Sequence, residues 1–166
     1  MNRRSLLAAS VGVLASGTAA GCLGGVVEEG DGQLDVGGTS VPLASTETAA
    51  DWFESGDLLV LDARGESEWE EIRIAGAEWS PARDGRDSND PTEGVAADTL
   101  ILTYCVCPHT LAGQRGAALI EDGYTDVYAL DEGLDDWIDQ GHPIEGTDVN
   151  ESGEAMSVPT ARYHDG

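Results

Sequence analysis

The residues best suited to chemistry follow residue 104, where Cys105 and Cys107 form a C-x-C pair and His109 comes two residues later. Cys105 directly follows an apolar run, residues 99–104, which predicts a buried strand, and a helical pattern begins after the loop. A loop that leaves a parallel strand and enters a helix lies at the edge of the sheet where ligands bind. Its backbone N–H groups and the helix dipole stabilise a thiolate, the nucleophilic form of cysteine. The pattern favours a nucleophilic Cys105 over a small core residue.

The elements that must position this loop alternate along the chain. Continuous apolar runs predict strands, and apolar residues at helical spacing predict short helices between them. The predicted strands are residues 58–61, 77–79, 99–104 and 127–130, and the predicted helices are residues 45–54, 67–72, 111–120 and 134–138. Residues 82–98 are predicted to be a polar loop. Strands that alternate with helices of this length indicate an α/β fold with a parallel sheet.

Three parts of the chain resemble single-domain rhodaneses. Residues 59–69 resemble the strand that ends in Asp-x-Arg in that family, and residues 72–77 resemble its Gly-His-Ile-Pro-Gly-Ala segment. Residues 101–105, with 123–137 and 141–144, resemble the active loop and the closing helix. The resemblance implies a central parallel sheet of about five strands with helices on both faces. It also implies transfer of sulfane sulfur, carried as a persulfide on Cys105, to a small sulfur compound or a protein thiol, without a cofactor.

The resemblance also assigns roles around Cys105. Backbone N–H groups would cradle the anionic sulfur, and the loop consists of Val106, Cys107, Pro108, His109, Thr110 and Leu111. Val106 stands where the family frequently has Arg, and Pro108 stands where it has Gly, so the loop lacks its own cation and one N–H donor. Arg115 and Arg73 are candidate substrate contacts, Arg115 being equally well explained as a solvated surface residue. Asp62 and Arg64 are expected to be a structural ion pair.

Other functions use the same residues. Cys107 could resolve a mixed disulfide or persulfide on Cys105, which would make the protein a thiol–disulfide or persulfide redox module. The altered loop also leaves a non-catalytic binding module open. Metal binding by Cys105, Cys107 and His109 is not favoured, since three ligands from five residues are cramped and no fourth is evident. A phosphatase loop would need Arg at position 111, where the chain has Leu111.

The charge balance restricts the partners. The formal net charge is -24, with 32 acidic residues against 8 basic ones, all of them Arg. Repulsion from phosphates therefore excludes non-specific binding of nucleic acid, and attraction to anionic lipid through a basic patch is excluded on the same ground. Many acidic residues without lysine are typical of proteins from salt-loving organisms, haloarchaea in particular. Screening by salt would then be needed to offset self-repulsion in the folded state.

The N-terminal segment has the layout of an export signal. Residues 3–7 resemble a twin-arginine motif, the apolar run 6–20 is too short for a confident membrane span, and residues 19–22 resemble a lipoprotein box that ends in Cys22. The expected organisation is an export signal over residues 1–21, a flexible tether over 22–40, a rhodanese-like domain over 41–145 and an acidic disordered tail over 146–166. A lipid on Cys22 would anchor the protein to the extracytoplasmic face of the cell membrane.

Replacement Cys22→Ser tests the anchor. Because a thioether to lipid needs the cysteine thiol, the variant should lose its lipid and either leave the membrane fraction or accumulate unprocessed. Fractionation and intact mass measure both effects. Wild-type protein recovered from membranes with an unmodified Cys22 would contradict the anchor.

Overall fold

The computed structural model describes the backbone of residues 27–30 and, with side chains, residues 32–106 and 110–156. No helix in this part of the chain is long and apolar enough to cross a membrane. The strands are β1 (Val27–Gly30), β2 (Gln33–Val36), β3 (Thr39–Ala44), β4 (Leu59–Asp62), β5 (Arg73–Ile74), β6 (Glu78–Trp79), β7 (Ile101–Tyr104), β8 (Val127–Leu130) and β9 (Ile144–Glu145). The helices are α1 (Thr46–Ser55), α2 (Glu66–Glu71), α3 (Thr110–Glu121) and α4 (Gly133–Asp139).

A central sheet orders its strands β1-β2-β3-β8-β7-β4-β6. The five strands from β3 to β6 pair in parallel, which confirms the predicted parallel sheet, while β1 and β2 extend it as antiparallel strands. A separate two-stranded sheet joins β5 to β9. Strand β7 lies at the centre of the parallel part, so the strand that leads to Cys105 is flanked on both sides.

The pleat of β7 divides the core in two. Leu102 and Tyr104 pack in the cluster that contains residues of α1 and α4, whereas Ile101 packs in a cluster with Leu119 of α3. Thr103 also faces α3, where its hydroxyl donates to the carbonyl of Ala112 at 2.9 Å. Successive side chains of a strand point to opposite faces, so one helix layer covers each face, as predicted.

The structure corrects the predicted tether over residues 22–40. Residues 27–44 form the β1–β2–β3 meander, in which Leu34 is fully buried and packs with Val41 beneath α3. The apolar and polar residues of β2 alternate, and the Gly37–Gly38 turn joins it to β3. This strand signal is short, and the surrounding glycines and acidic residues obscured it.

The predicted disordered tail over residues 146–166 is also corrected as far as residue 156. The N–H groups of Thr147 and Asp148 donate to the carbonyls of Glu70 and Glu71 at 2.9 and 2.8 Å, and Val149 bridges Ala155. The folded unit therefore extends beyond both predicted boundaries of residues 41–145. Residues 157–166 lie outside the described residues.

Replacement Leu34→Ala distinguishes a folded β2 from a tether. Loss of a fully buried leucine should lower the free energy of unfolding by about 2–5 kcal/mol, measured by denaturant titration. Met156→Ala, at a side chain that is 62% exposed, is the control and should change it by less than about 0.5 kcal/mol. Equal small effects would return residues 27–40 to the status of a tether.

Candidate active site around Cys105

Cys105 lies at the carboxyl end of the central strand β7. Its side chain is 3% exposed and packs in the cluster that contains Ala112 of α3, Ala129 of β8 and Leu34 of β2. Helix α3 begins at Thr110, so the chain passes from strand to helix within a short loop, as the sequence predicted. Residues 107–109 lie outside the described residues, including the predicted resolving thiol Cys107. Cys105 therefore sits where parallel sheets bind ligands.

The start of α4 fixes the backbone on either side of Cys105. The N–H of Leu134 donates to the carbonyl of Cys105 at 2.9 Å. Gly133 has a φ of +80°, and a Cβ there would lie 2.4 Å from the carbonyl oxygen of Val106. Only glycine tolerates both this conformation and this approach, so α4 packs directly on the loop backbone.

The described loop residues divide by burial. Val106 is buried, whereas Thr110 and Leu111 are exposed at the first turn of α3. The exposed Thr110 hydroxyl is thus in solvent contact at the site where the resemblance expects a hydrogen-bond donor. The remaining members of the predicted cradle, Cys107, Pro108 and His109, are outside the described residues, as is Cys22.

The predicted ion pair between Asp62 and Arg64 is present and buried. Arg64 donates from Nε to Oδ1 of Asp62 at 2.9 Å and from Nη2 to Oδ2 at 2.6 Å. Arg64 Nη2 also donates to the carbonyl of Ile72, and the hydroxyl of Tyr104 donates to Oδ2 of Asp62 at 2.7 Å. The carboxylate therefore connects the ends of β4 and β7 immediately before Cys105.

Titration of this network is suppressed. Burial by itself would lower the pKa of Arg64, but the hydrogen bonds and charge of Asp62 raise it above the ordinary value. Burial and the neighbouring Asp62 charge raise the pKa of Tyr104 well above its ordinary value. Arg64 stays charged and Tyr104 stays a neutral donor, so the network keeps one arrangement over the physiological pH range.

Arg115 occupies a position that neither sequence reading anticipated. Its side chain is 2% exposed and donates to Ser80 Oγ at 2.8 Å and to Asp90 Oδ1 at 3.1 Å. The guanidinium is therefore neither a solvated surface group nor a substrate contact. It anchors the loop between β6 and β7 onto α3.

Asp90 is the residue of this loop that the sequence analysis missed. Its carboxylate also accepts from the Thr92 N–H and hydroxyl and from the Arg86 N–H. Gly85 has a φ of +76°, and a Cβ there would lie 2.4 Å from Asp90 Oδ2. An Asp two residues before Thr is a local turn signal that could have identified it, but its pairing with Arg115 is a tertiary contact.

Arg73 is also placed away from the predicted substrate role. Its Nε donates to Glu145 at 2.9 Å across the β5–β9 pair, and its guanidinium carbon lies 4.3 Å from the Trp69 ring centroid. These contacts hold the small sheet against α2. The structure therefore gives Arg73 a structural partner set that does not include Cys105.

The tryptophans are core or rim residues, as predicted. Trp137 is fully buried, and the indole N–H groups of Trp69, Trp79 and Trp137 donate to the carbonyls of Ala77, Arg64 and Pro143. Within the described part of the chain, no three histidine, cysteine or acidic side chains are grouped to hold a metal ion. The disfavoured metal set needs Cys107 and His109, which are outside it.

A buried cysteine at the carboxyl end of a central parallel strand, before a helix, defines an α/β protein with a cysteine-loop site. Residues 45–140 match the family described as Rhodanese-like domain, which is more than half of the chain. The chain belongs to this family. A search of curated proteins found no match.

Solved structures agree with this fold. The chain is similar to the rhodanese-like domain of a protein from Anabaena sp., with 25% identity and a TM-score of 0.56 over 63% of this chain and 79% of that one. It is similar to a thiosulfate sulfurtransferase from Pseudomonas aeruginosa, with 22% identity and a TM-score of 0.51 over 64% of this chain and 20% of that one. A protein of unknown function from Rhodopseudomonas palustris, described as a possible tyrosine phosphatase, has 22% identity and a TM-score of 0.52 over 63% and 85%.

Replacement Asp90→Asn tests the buried pair with Arg115. Removal of one partner leaves a buried charge uncompensated, so the free energy of unfolding should fall by about 3–5 kcal/mol. Burial raises the pKa of Asp90, but hydrogen bonds from Thr92, Arg86 and Ser80 outweigh it and leave the pKa below 3.8. The wild type should therefore lose its advantage as pH falls below this value. Exposed Glu93→Gln is the control, and an Asp90→Asn effect no larger than the control's would contradict the pairing.

Proposed function

We propose that the protein is a sulfurtransferase that carries sulfane sulfur as a persulfide on Cys105. The observation that supports this best is the placement of Cys105: it ends the central strand of a rhodanese-like domain, and its own carbonyl is held by the first turn of α4. The peptide groups around the sulfur are therefore fixed before a substrate arrives. Such preorganisation favours an anionic sulfur at this position.

The proposed reaction has two displacement steps. In the first, the Cys105 thiolate attacks the outer sulfur of a donor of the type R–SO₂–S⁻, forms the S–S bond of a persulfide and releases the sulfinate R–SO₂⁻. In the second, an acceptor thiolate attacks the outer sulfur of the persulfide, takes it and regenerates the Cys105 thiolate. Atoms and charge balance in each step, and no external oxidant or reductant is needed.

The loop composition bears on the donor. Val106 is aliphatic and buried where the family frequently has Arg, so the described loop residues provide no cation beside the sulfur. Arg115 does not replace it, because its guanidinium is bound to Asp90. Turnover of free inorganic thiosulfate is accordingly expected to be slow, and an organic donor or a protein thiol is the favoured partner.

The proposed location is the extracytoplasmic face of the cell membrane, through a lipid on Cys22. Strand β1 begins at Val27, five residues after Cys22, and an extended chain spans about 3.5 Å per residue. The sheet would then lie within about 20 Å of the anchored sulfur. With residues 27–40 folded into the domain, the site would work close to the membrane surface.

Intact and peptide mass spectrometry after exposure to a sulfane donor tests the proposal. The wild type should gain one sulfur, about 32 Da, on the peptide that contains Cys105, and Cys105→Ser should abolish this gain. Because Cys105 ends the buried strand, it is expected to accept sulfur first.

The matched control is Cys107→Ser, two residues away. It should retain the first labelling but change the lifetime of the persulfide, as expected for a resolving thiol. Loss of labelling in Cys107→Ser alone would reverse the two roles. A reversible loss of about 2 Da, without any gain of sulfur, would instead identify a thiol–disulfide module.

A further inference from the structure

Arg86 differs from the other arginines of the described chain in having no acidic partner. Arg64 pairs with Asp62, Arg73 with Glu145, Arg83 with Glu121 and Arg115 with Asp90. The hydrogen bond recorded for Arg86 is made by its backbone N–H, and its side chain forms no ion pair. In a chain of net charge -24, an unpaired guanidinium is a local positive centre.

The Arg86 side chain is also held in place without being satisfied. Its Nε is shielded from solvent and has no hydrogen-bond partner. The guanidinium carbon lies 5.8 Å from the ring centroid of Trp79, whose indole N–H is in turn fixed on the carbonyl of Arg64. A shielded, unpaired N–H donor is costly, and an oxyanion bound to the Nε edge would offset that cost.

A surface cavity of about 360 Å³ adjoins this side chain. It is lined by Trp79, Pro81, Gly85, Arg86, Asp87 and Ser88. The cavity thus offers one guanidinium and one aromatic ring, a combination that suits an organic anion. Its volume exceeds what a single small inorganic anion needs.

The cavity shares an edge of the sheet with Cys105. Trp79 pairs with Asp62 and Asp62 pairs with Tyr104, so Trp79 and Tyr104 are two strand spacings apart, about 10 Å. The Ala82 N–H donates to the carbonyl of Ala63, whose N–H donates to that of Tyr104. A molecule bound at Arg86 would therefore need an extended chain to bring a sulfur atom to Cys105.

We propose that Arg86, supported by Trp79, binds the oxyanion of an organic thiol that accepts sulfur from Cys105. This inference rests on the proposed sulfurtransferase function and names the acceptor class: a low-molecular-weight thiol that carries a carboxylate or similar oxyanion at a distance from its sulfur. In the transfer step the acceptor thiolate takes the outer sulfur of the Cys105 persulfide and leaves the Cys105 thiolate. Arg86 positions the acceptor and takes no part in bond making.

The kinetic test compares acceptors on the persulfidated full-length protein. 6-Mercaptohexanoate, whose length is of the order of the two-strand separation, should react with a kcat/KM about tenfold higher than 6-mercaptohexanol. The short 2-mercaptoacetate should gain nothing from its charge. Arg86→Gln should abolish the preference for the acid, and Arg86→Lys should restore part of it, because the charge returns without the bidentate geometry.

The matched control is Arg83→Gln, which removes the same charge from the same loop but from a side chain paired with Glu121. It should retain the preference. A preference that survives in Arg86→Gln, or that falls equally in Arg83→Gln, would overturn the proposal, since only general charge would then be involved.

A binding measurement separates this inference from the proposed function. In NMR titrations of the sulfur-free protein, 6-mercaptohexanoate should shift the Arg86 Nε–H and Trp79 indole signals, while 6-mercaptohexanol should not. Shifts without any persulfide on Cys105 would refute sulfur transfer and leave the anion site standing. Equal responses to the acid and the alcohol would refute the anion site whatever Cys105 does.

Discussion

The carboxylate of Asp62 is the group on which the carboxyl edge of the sheet depends. It accepts two bonds from the Arg64 side chain and one from the Tyr104 hydroxyl, and none of these three side chains is more than 3% exposed. Arg64 passes the connection on to the carbonyl of Ile72, and the Tyr104 hydroxyl accepts from the N–H of Ile74. One buried charge pair therefore joins the ends of β4 and β7 to the β5 segment. Loss of one partner of such a pair costs about 3–5 kcal/mol, and here it would release the strand that presents Cys105.

The few arginines of this acidic chain are used mainly for structure. Arg64 and Arg115 are buried and each joins two loops, while Arg73 and Arg83 pair with acidic residues nearer the surface. The cations that the sequence suggested for the substrate, Arg73 and Arg115, are consumed in this way. Arg86 is left to act on a ligand, on the same edge of the sheet but two strands from Cys105. This separation is why an extended organic anion fits the site better than a small inorganic one.

Sequence reasoning succeeded where a local pattern determined the structure. The apolar runs located β4, β7 and β8, and Ser45 and Gly56 bounded α1 as expected. The Asp62–Arg64 pair was predictable because its partners are two residues apart. The β1–β2 meander was missed because two four-residue strands among glycines carry little signal, although Leu34 enters the core. The Asp90–Arg115 pair and the isolation of Arg86 depend on residues that only the tertiary fold brings together, or keeps apart.

The most direct test of the central claim follows one sulfur atom through Cys105. Protein that carries an isotopically labelled outer sulfur is separated from the donor and mixed with an excess of acceptor thiol. The account predicts that the label leaves the Cys105 peptide and appears in the acceptor in a single turnover, with Cys105 recovered as a thiol. Label that stays on the protein, or that reaches the acceptor equally well from donor and Cys105→Ser protein, would contradict it.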